Sequence, residues 1–472
     1  MRKKQTKIVA TISDRNCSRE LLTKLYNNGM NVVRINTAHQ TPDVTKGIVE
    51  NVRAVAEDIA ILIDTKGPEV RTRRSPDGYA LHTGQKITLA YGPAEAIATP
   101  SRVYVSFDGF TTHITKGTHI LIDDGAIALR VTKIIEQDVH CIVENGGTLK
   151  SRKGVNIPGV RMDLPALTKK DKEYLRFAIE HDIDFIAHSF VRNAKDIHAI
   201  RRRLGYSPVK IIAKIENKEG YDNINDILPE VYGIMVARGD LAVEVPFEQV
   251  PAIQKRLIRK AIQWGKPVIT ATQMLHSMCE NIRPTRAEIS DVANAIYDGS
   301  DAIMLSTETA AGRYPAEAVQ VMSRIAKEVE QNKKAYRKNR DLRWKDPVHK
   351  FFGRSAISAC AELPAKAIIT FTRSGATARL IAAYRGRIPI HAKAMSMRTM
   401  RELALVYGVY PTHMDEKQTI EEMICIAVQD LLKKKAVGPH DLIVIVGSMP
   451  GDGSGADFLE IKTAEICLKH YR

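Results

Sequence analysis

A lysine and a glutamate two positions apart close the apolar run in VKIIAKIENKEG, residues 209–220. Side chains two apart on a strand point the same way, so the Lys214 ammonium and the Glu216 carboxylate share one face. A second carboxylate, Asp240, follows another strand-like run in GIMVARGD. Two hard oxygen ligands suit Mg2+, which takes one or two protein carboxylates and fills its other positions with water and substrate oxygens. Lys214 adds positive charge where an anionic substrate would lie, and Arg34 and Lys66 add more. A divalent ion among several fixed cations fits phosphoryl transfer, in which catalysis is mostly positioning and charge neutralisation. Each feature alone has a bland alternative: Lys-x-Glu as an ion pair closing a barrel, Gly-Asp as a plain turn. The chemistry rests on their convergence.

Convergence requires that these residues leave different strands on one rim. Short β-branched runs alternate with helical stretches at 7–12, 31–36, 60–65, 184–190, 210–216, 232–238, 267–272 and 302–306. One intervening helix ends at Gly265, a good C-cap. The pattern predicts an α/β fold, a (β/α)8 TIM barrel with catalytic groups at the carboxyl ends of its strands. Strand two then supplies Arg34 and Asn36, strand three Asp64 and Lys66, and strand five Lys214 and Glu216. Strand six leads through Arg238 and Gly239 to Asp240, strand seven ends in Thr272, and strand eight is followed by Ser306 and Glu308.

The alternation breaks after strand three. Between Pro68 and Pro158, period-two segments joined by Asp-Gly and Asn-Gly-Gly predict antiparallel hairpins. We expect the barrel over 1–67 and 159–335, an inserted small β-barrel domain over 68–158, and a C-terminal α/β domain over 340–472. Gly67 and Pro68 shape the hinge into the insertion, which overhangs the rim as a lid. Lys153, where the insertion returns, either swings over a bound nucleotide or is a solvated hinge lysine. In TFTRSGATAR of the third domain, Thr372, Ser374, Gly375 and Thr377 meet a helix amino terminus, a phosphate cradle or a plain turn. The loop SMPGDGSG is also glycine-rich.

The composition excludes several classes. The six cysteines are scattered without a CxxC pair, which argues against a disulfide framework and a zinc site. No apolar run approaches the roughly 18 residues of a membrane span, and MRKKQTKIVATIS has no apolar signal core, so a cytoplasmic protein without membrane contact is expected. The net charge of +16 is spread along the chain, which suits anionic metabolites and predicts no specific nucleic-acid binding.

KIENKEG, GIMVARGDLAVEV, GKPVITATQML, RPTRAEISDVANAIYDGSDAIMLSTETAAGRYP and DTKGPEVRT together closely resemble pyruvate kinase, a match running from TKIVATI to the C-terminal domain. The resemblance implies phosphoryl transfer from phosphoenolpyruvate to ADP, giving pyruvate and ATP at the end of glycolysis. It implies that Glu216 and Asp240 hold Mg2+ and that Lys214 steadies the transferring phosphoryl and the enolate. It gives Arg34 the substrate phosphate, and Gly239, Asp240 and Thr272 the carboxylate, with Thr272 near the later proton delivery. Asn36, His39, Arg71 and Lys153 resemble nucleotide contacts, a second Mg2+ arriving with the nucleotide. Asn36, Asp64 and the Thr65 carbonyl resemble K+ ligands. There Ala38, in RINTAH, replaces the family's usual serine, so water or Thr37 must substitute; Glu69 matches the K+-requiring members. Thr307 stands where glycine is usual, which alters at most the loop before Glu308. Thr372, Arg373, Ser374, Gly375 and Thr377 resemble a site for a phosphorylated allosteric effector, and the assembly implied is a homotetramer. A metal-dependent aldolase or mutase would share the carboxylates but has no need of a nucleotide, which the insertion with Lys153 disfavours. An inactive basic RNA-associated protein is disfavoured by the intact strand-end set.

Overall fold

Eight parallel strands close a barrel: Lys7–Ile12, Val32–Asn36, Ala60–Asp64, Phe185–His188, Lys210–Ile215, Gly233–Ala237, Val268–Ala271 and Ala302–Leu305. They are seen in a computed structural model that describes residues 4–38, 40–76, 78–332, 341–417, 419–448 and 456–470. Each run is almost wholly buried, as strands sandwiched between a barrel interior and a helical shell must be. Alternate residues divide the two faces. Val9, Val32, Leu62, Phe185, Ala187, Ile212, Met235, Ile269 and Met304 pack together inside the barrel. Their neighbours Ile8, Val33, Ile61, Ile186, Ile211 and Ile234 join the larger core beneath the helices. Following the interior parity upward gives Thr11, Arg34, Asp64, Ser189, Lys214 and Glu216. The apolar column thus ends at its mouth in charge.

The insertion has its own apolar core and a seven-stranded sheet, its edge strands Val70–Arg71 and Arg102–Val105 brought together by the Thr72–Val105 bridge. Two local expectations are corrected. Lys86–Tyr91 pairs with Arg102–Val105 in parallel, because residues 92–101 carry the chain back before the second strand begins. Asn145–Gly147 makes no hairpin but passes the chain to Gly147–Leu149, which pairs with Tyr79–Leu81. A Cβ on Gly146 would lie 2.3 Å from the Leu81 carbonyl oxygen, so the glycine serves close backbone approach. The hairpin from Ile127–Ile135 to Asp138–Asn145 turns at Glu136, at φ 55° and without glycine.

The third sheet runs Val409–His413, Ile390–Ala394, Ala365–Thr372, Leu442–Gly447, Phe458–Thr463, the last strand antiparallel. This unit docks at the amino-terminal end of the barrel, where Ala404 and Leu405 join the barrel's interior cluster. Ion pairs surround the plug. Buried Asp184 accepts from Arg401 Nε at 2.6 Å, Arg53 at 2.9 Å and the Ile61 amide at 2.8 Å. Asp182 takes Arg398 and Arg401, while Asp301 takes Arg385 at 2.5 Å and the Tyr407 amide at 3.0 Å. Among the described residues no helix is long and apolar enough to cross a membrane.

Removing one partner of a buried pair leaves the other charge uncompensated. Asp184→Ala is expected to lower unfolding free energy by about 3–5 kcal/mol, measured by urea denaturation. A loss under about 1 kcal/mol would show that Arg401 and Arg53 find water instead.

Candidate active site at the barrel mouth

The interior parity brings two cations and two anions into one buried row. Arg34 Nε meets Asp64 Oδ2 at 2.7 Å and Arg34 Nη1 reaches Thr11 Oγ1 at 3.0 Å. Lys214 Nζ lies 3.0 Å from Asp64 Oδ1, 2.9 Å from Glu216 Oε1 and 2.7 Å from Ser189 Oγ. Burial works against the Lys214 charge, but Asp64 and Glu216 outweigh it and raise its pKa above that of an ordinary lysine. It stays an ammonium. Burial likewise opposes the Asp64 carboxylate, and Lys214 with Arg34 outweighs it, holding that pKa low. Glu216 differs: burial pushes it up to about 7, Lys214 opposing and the charge of Asp240 adding to the rise.

Strand four supplies two groups that the charge pattern did not reveal. Ser189 Oγ accepts from Lys214 and donates to the Thr65 carbonyl at 2.7 Å. Phe190, at φ 56°, turns its amide onto Glu216 Oε2 at 2.6 Å and lines the cleft above. Gly67 packs against this corner at φ 70°, where a Cβ would fall 2.7 Å from that of Ser189. The only signal was a strand running into HSF, with no charge to single out its end.

Across the mouth, the Gly239 amide donates to Thr272 Oγ1 at 2.9 Å, and that hydroxyl donates to the Ala271 carbonyl at 2.7 Å. Thr272 itself stands at φ 70°. The carboxylate of Asp240, half-buried in the first turn of the helix Arg238–Glu244, has no hydrogen bond or ion pair among the described residues. No cluster of three or more metal-ligating side chains exists among those residues. Two neighbouring carboxylates, one unpartnered, suit an ion that completes its shell with water and substrate oxygens, as Mg2+ does. Two strand-end residues are braces. Arg238 is tied to Asp291 at 2.6 Å and to the Thr272 carbonyl at 2.7 Å. Buried Glu308 accepts the amides of Leu275 at 3.1 Å and Ser306 at 2.7 Å.

A cleft of about 900 Å3 separates the rim from the insertion, with Phe190, Asn217 and Asp240 below and Arg71 and Lys153 above. The two cations above are engaged locally, Arg71 with Glu69 at 2.7 Å and the Arg152 carbonyl at 2.7 Å, and Lys153 with Asp123 at 2.8 Å, while Lys66, outside the cleft lining, pairs with Glu69 at 3.3 Å. His39 lies outside the described residues. Asn36 Oδ1 accepts the Ala38 amide at 3.1 Å, and the Thr37 hydroxyl is turned inward onto the Asp64 carbonyl at 2.9 Å. A cation absent from the sequence reading, Lys170, donates to the Ala38 carbonyl at 3.3 Å.

Remote from this site, the turn after Ala365–Thr372 is largely self-satisfied. Thr372 Oγ1 accepts the Gly375 amide at 2.8 Å, and Thr377 Oγ1 pairs with His349 at 3.1 Å, away from the turn. Arg373 is bound to Glu416, and Ser374 is exposed. Most of the second glycine-rich loop, 449–455, lies outside the described residues.

A profile described as pyruvate kinase, barrel domain, matches residues 3–319, and one described as pyruvate kinase, alpha/beta domain, matches residues 352–462. A pyruvate kinase of Borreliella burgdorferi is 43% identical over 99% of this chain and 98% of its own length. One of Bacillus licheniformis is 44% identical over 97% of this chain and 80% of its own, and one of Geobacillus stearothermophilus 43% over 96% and 79%.

Proposed function

Because the chain belongs to the pyruvate kinase family, it is a phosphotransferase acting between phosphoenolpyruvate and ADP, and we propose that the charged row at the barrel mouth is where it acts. The observation that carries this placement is the Lys214 ammonium, buried yet kept charged, beside two carboxylates beneath an open cleft. Arg34 takes the substrate phosphate, while Gly239, Asp240 and Thr272 frame the carboxylate. A β-phosphate oxygen of ADP bonds to phosphorus as the bond from phosphorus to the enol oxygen breaks. Lys214 stands between the moving phosphoryl and that oxygen, so its charge meets the negative charge where it gathers. The enolate then takes a proton at its methylene carbon from the side of Thr272. Asn36, His39, Arg71 and Lys153 receive the nucleotide. The ion pairs holding Arg71 and Lys153 are part-exposed and weak enough to exchange for phosphate oxygens. Mg2+, held by Glu216 and Asp240, supplies further charge neutralisation when bound.

Replacing Lys214 removes a cation made for the transition state. Lys214→Met is expected to lower kcat by about 10^3-fold or more while the far-ultraviolet spectrum is unchanged, and the parent should lose activity when Mg2+ is omitted. Near-normal turnover in the variant would remove the lysine from its role.

The K+ reading involves Asn36, Asp64 and the Thr65 carbonyl with no side-chain oxygen at Ala38. Activation by KCl is therefore expected with weak affinity, and Ala38→Ser should lower the half-activating concentration by about tenfold, the order of one charge-assisted contact. Full activity in K+-free buffer would refute this.

The turn at Thr372, Arg373, Ser374, Gly375 and Thr377 is assigned to a phosphorylated effector, which would have to displace Glu416 from Arg373. The same reading makes the enzyme a homotetramer. Phosphoenolpyruvate saturation curves with and without a sugar phosphate or AMP, recorded beside the sedimentation mass, test both. A leftward shift at four chain masses is expected; flat curves would reduce the turn to a connection.

A further inference from the structure

We infer that Ser189 is a positioning residue for the phosphoryl-transfer lysine. The inference rests on the role given to Lys214 above. An ammonium has three N–H bonds on a flexible four-carbon stem, and here all three meet acceptors: Asp64, Glu216 and Ser189. Two of those acceptors are also committed elsewhere. Asp64 is shared with Arg34, and Glu216 with the Phe190 amide. Ser189 is the one neutral acceptor of the three. An ion pair holds an ammonium but cancels part of its field, whereas a hydroxyl oxygen orients it and leaves the charge to act on substrate.

The hydroxyl is itself oriented. Its single proton goes to the Thr65 carbonyl at 2.7 Å, with Asp64 Oδ1 farther away at 3.3 Å, so towards Lys214 it only accepts. The Thr65 segment is pinned in turn. Its amide donates to the Ala187 carbonyl at 2.9 Å, and its hydroxyl meets His188 Nδ1 at 2.9 Å. His188 Nε2 donates to the Ala166 carbonyl at 2.9 Å, which leaves Nδ1 to accept. Ser189 is 3% exposed and abuts Gly67, so its place is set on every side.

The test is a double-mutant cycle in the full-length enzyme with Ser189→Ala and Lys214→Met, read by kcat, the KM for phosphoenolpyruvate and Mn2+ affinity from electron paramagnetic resonance. Ser189→Ala alone is expected to lower kcat by about 10–100-fold, the cost of a misplaced catalytic group. KM and Mn2+ affinity should stay within about threefold, and the change should add nothing in the Lys214→Met background. Unaltered kcat, full additivity in the double variant, or a joint loss of kcat, KM and Mn2+ affinity would each overturn the proposal. Activity surviving in Lys214→Met alone would instead sink the reading of Lys214 on which it stands.

Discussion

Everything at the barrel mouth depends on an alternating row of buried charge, Arg34, Asp64, Lys214, Glu216, in which neighbours are 2.7–3.0 Å apart. Taking such groups out of water costs several kcal/mol each, recovered only if geometry and hydrogen bonding are good. The geometry comes from the barrel. Strands two, three and five each contribute side chains of the same parity as the apolar interior below them, and a one-residue slip in any strand would turn its charge into the helical shell. Register is therefore not merely a property of the fold here; it is the condition under which the charges can be buried at all. The proposed phosphoryl transfer would inherit that condition, since a cation already fixed in place needs no reorganisation when charge develops.

The eight barrel strands were legible because both of their faces are buried, which leaves continuous β-branched runs such as KIIAKI and AILID. The charged candidates were legible for the complementary reason: a charge ending such a run needs an explanation. Ser189 and Phe190 had no such mark. Their contribution is a hydroxyl direction and a left-handed backbone angle, neither of which residue type announces. Glu308, noted in the sequence only as a strand-end carboxylate, is occupied with two backbone amides. In the insertion, Asn-Gly-Gly read as a hairpin because glycine's freedom and glycine's lack of a side chain give the same letter. The structure uses the second property at Gly146.

Two kinds of ion pair divide the labour of the site. The row inside the barrel is buried and mutually saturated, so any single loss leaves an uncompensated charge. The pairs around the cleft, Lys66 and Arg71 on Glu69 and Lys153 on Asp123, have cations roughly a third or more exposed. Such pairs contribute about 0–1 kcal/mol. On the proposed nucleotide assignment, an incoming polyphosphate would take Arg71 and Lys153 at little cost and leave the inner row intact. The inner set is thus suited to fixed electrostatics, and the outer set to a ligand that arrives and leaves.

The fourth strand, Phe185–His188, ties these arrangements to the opposite end of the barrel. Before it, Asp182 and Asp184 are gripped by Arg398 and Arg401 of the docked third unit; after it, Ser189 and Phe190 hold Lys214 and Glu216. The five steps from Asp184 to Ser189 span roughly 17 Å of extended chain, with strands three and five hydrogen-bonded on either side. A strand so confined cannot slide at one end alone, because its pairing register and its interior residues Phe185 and Ala187 would have to move with it. Leu405, packed into the same interior cluster from below, removes the space into which they could move. The third unit thus closes the floor of the barrel whose mouth carries the charged row.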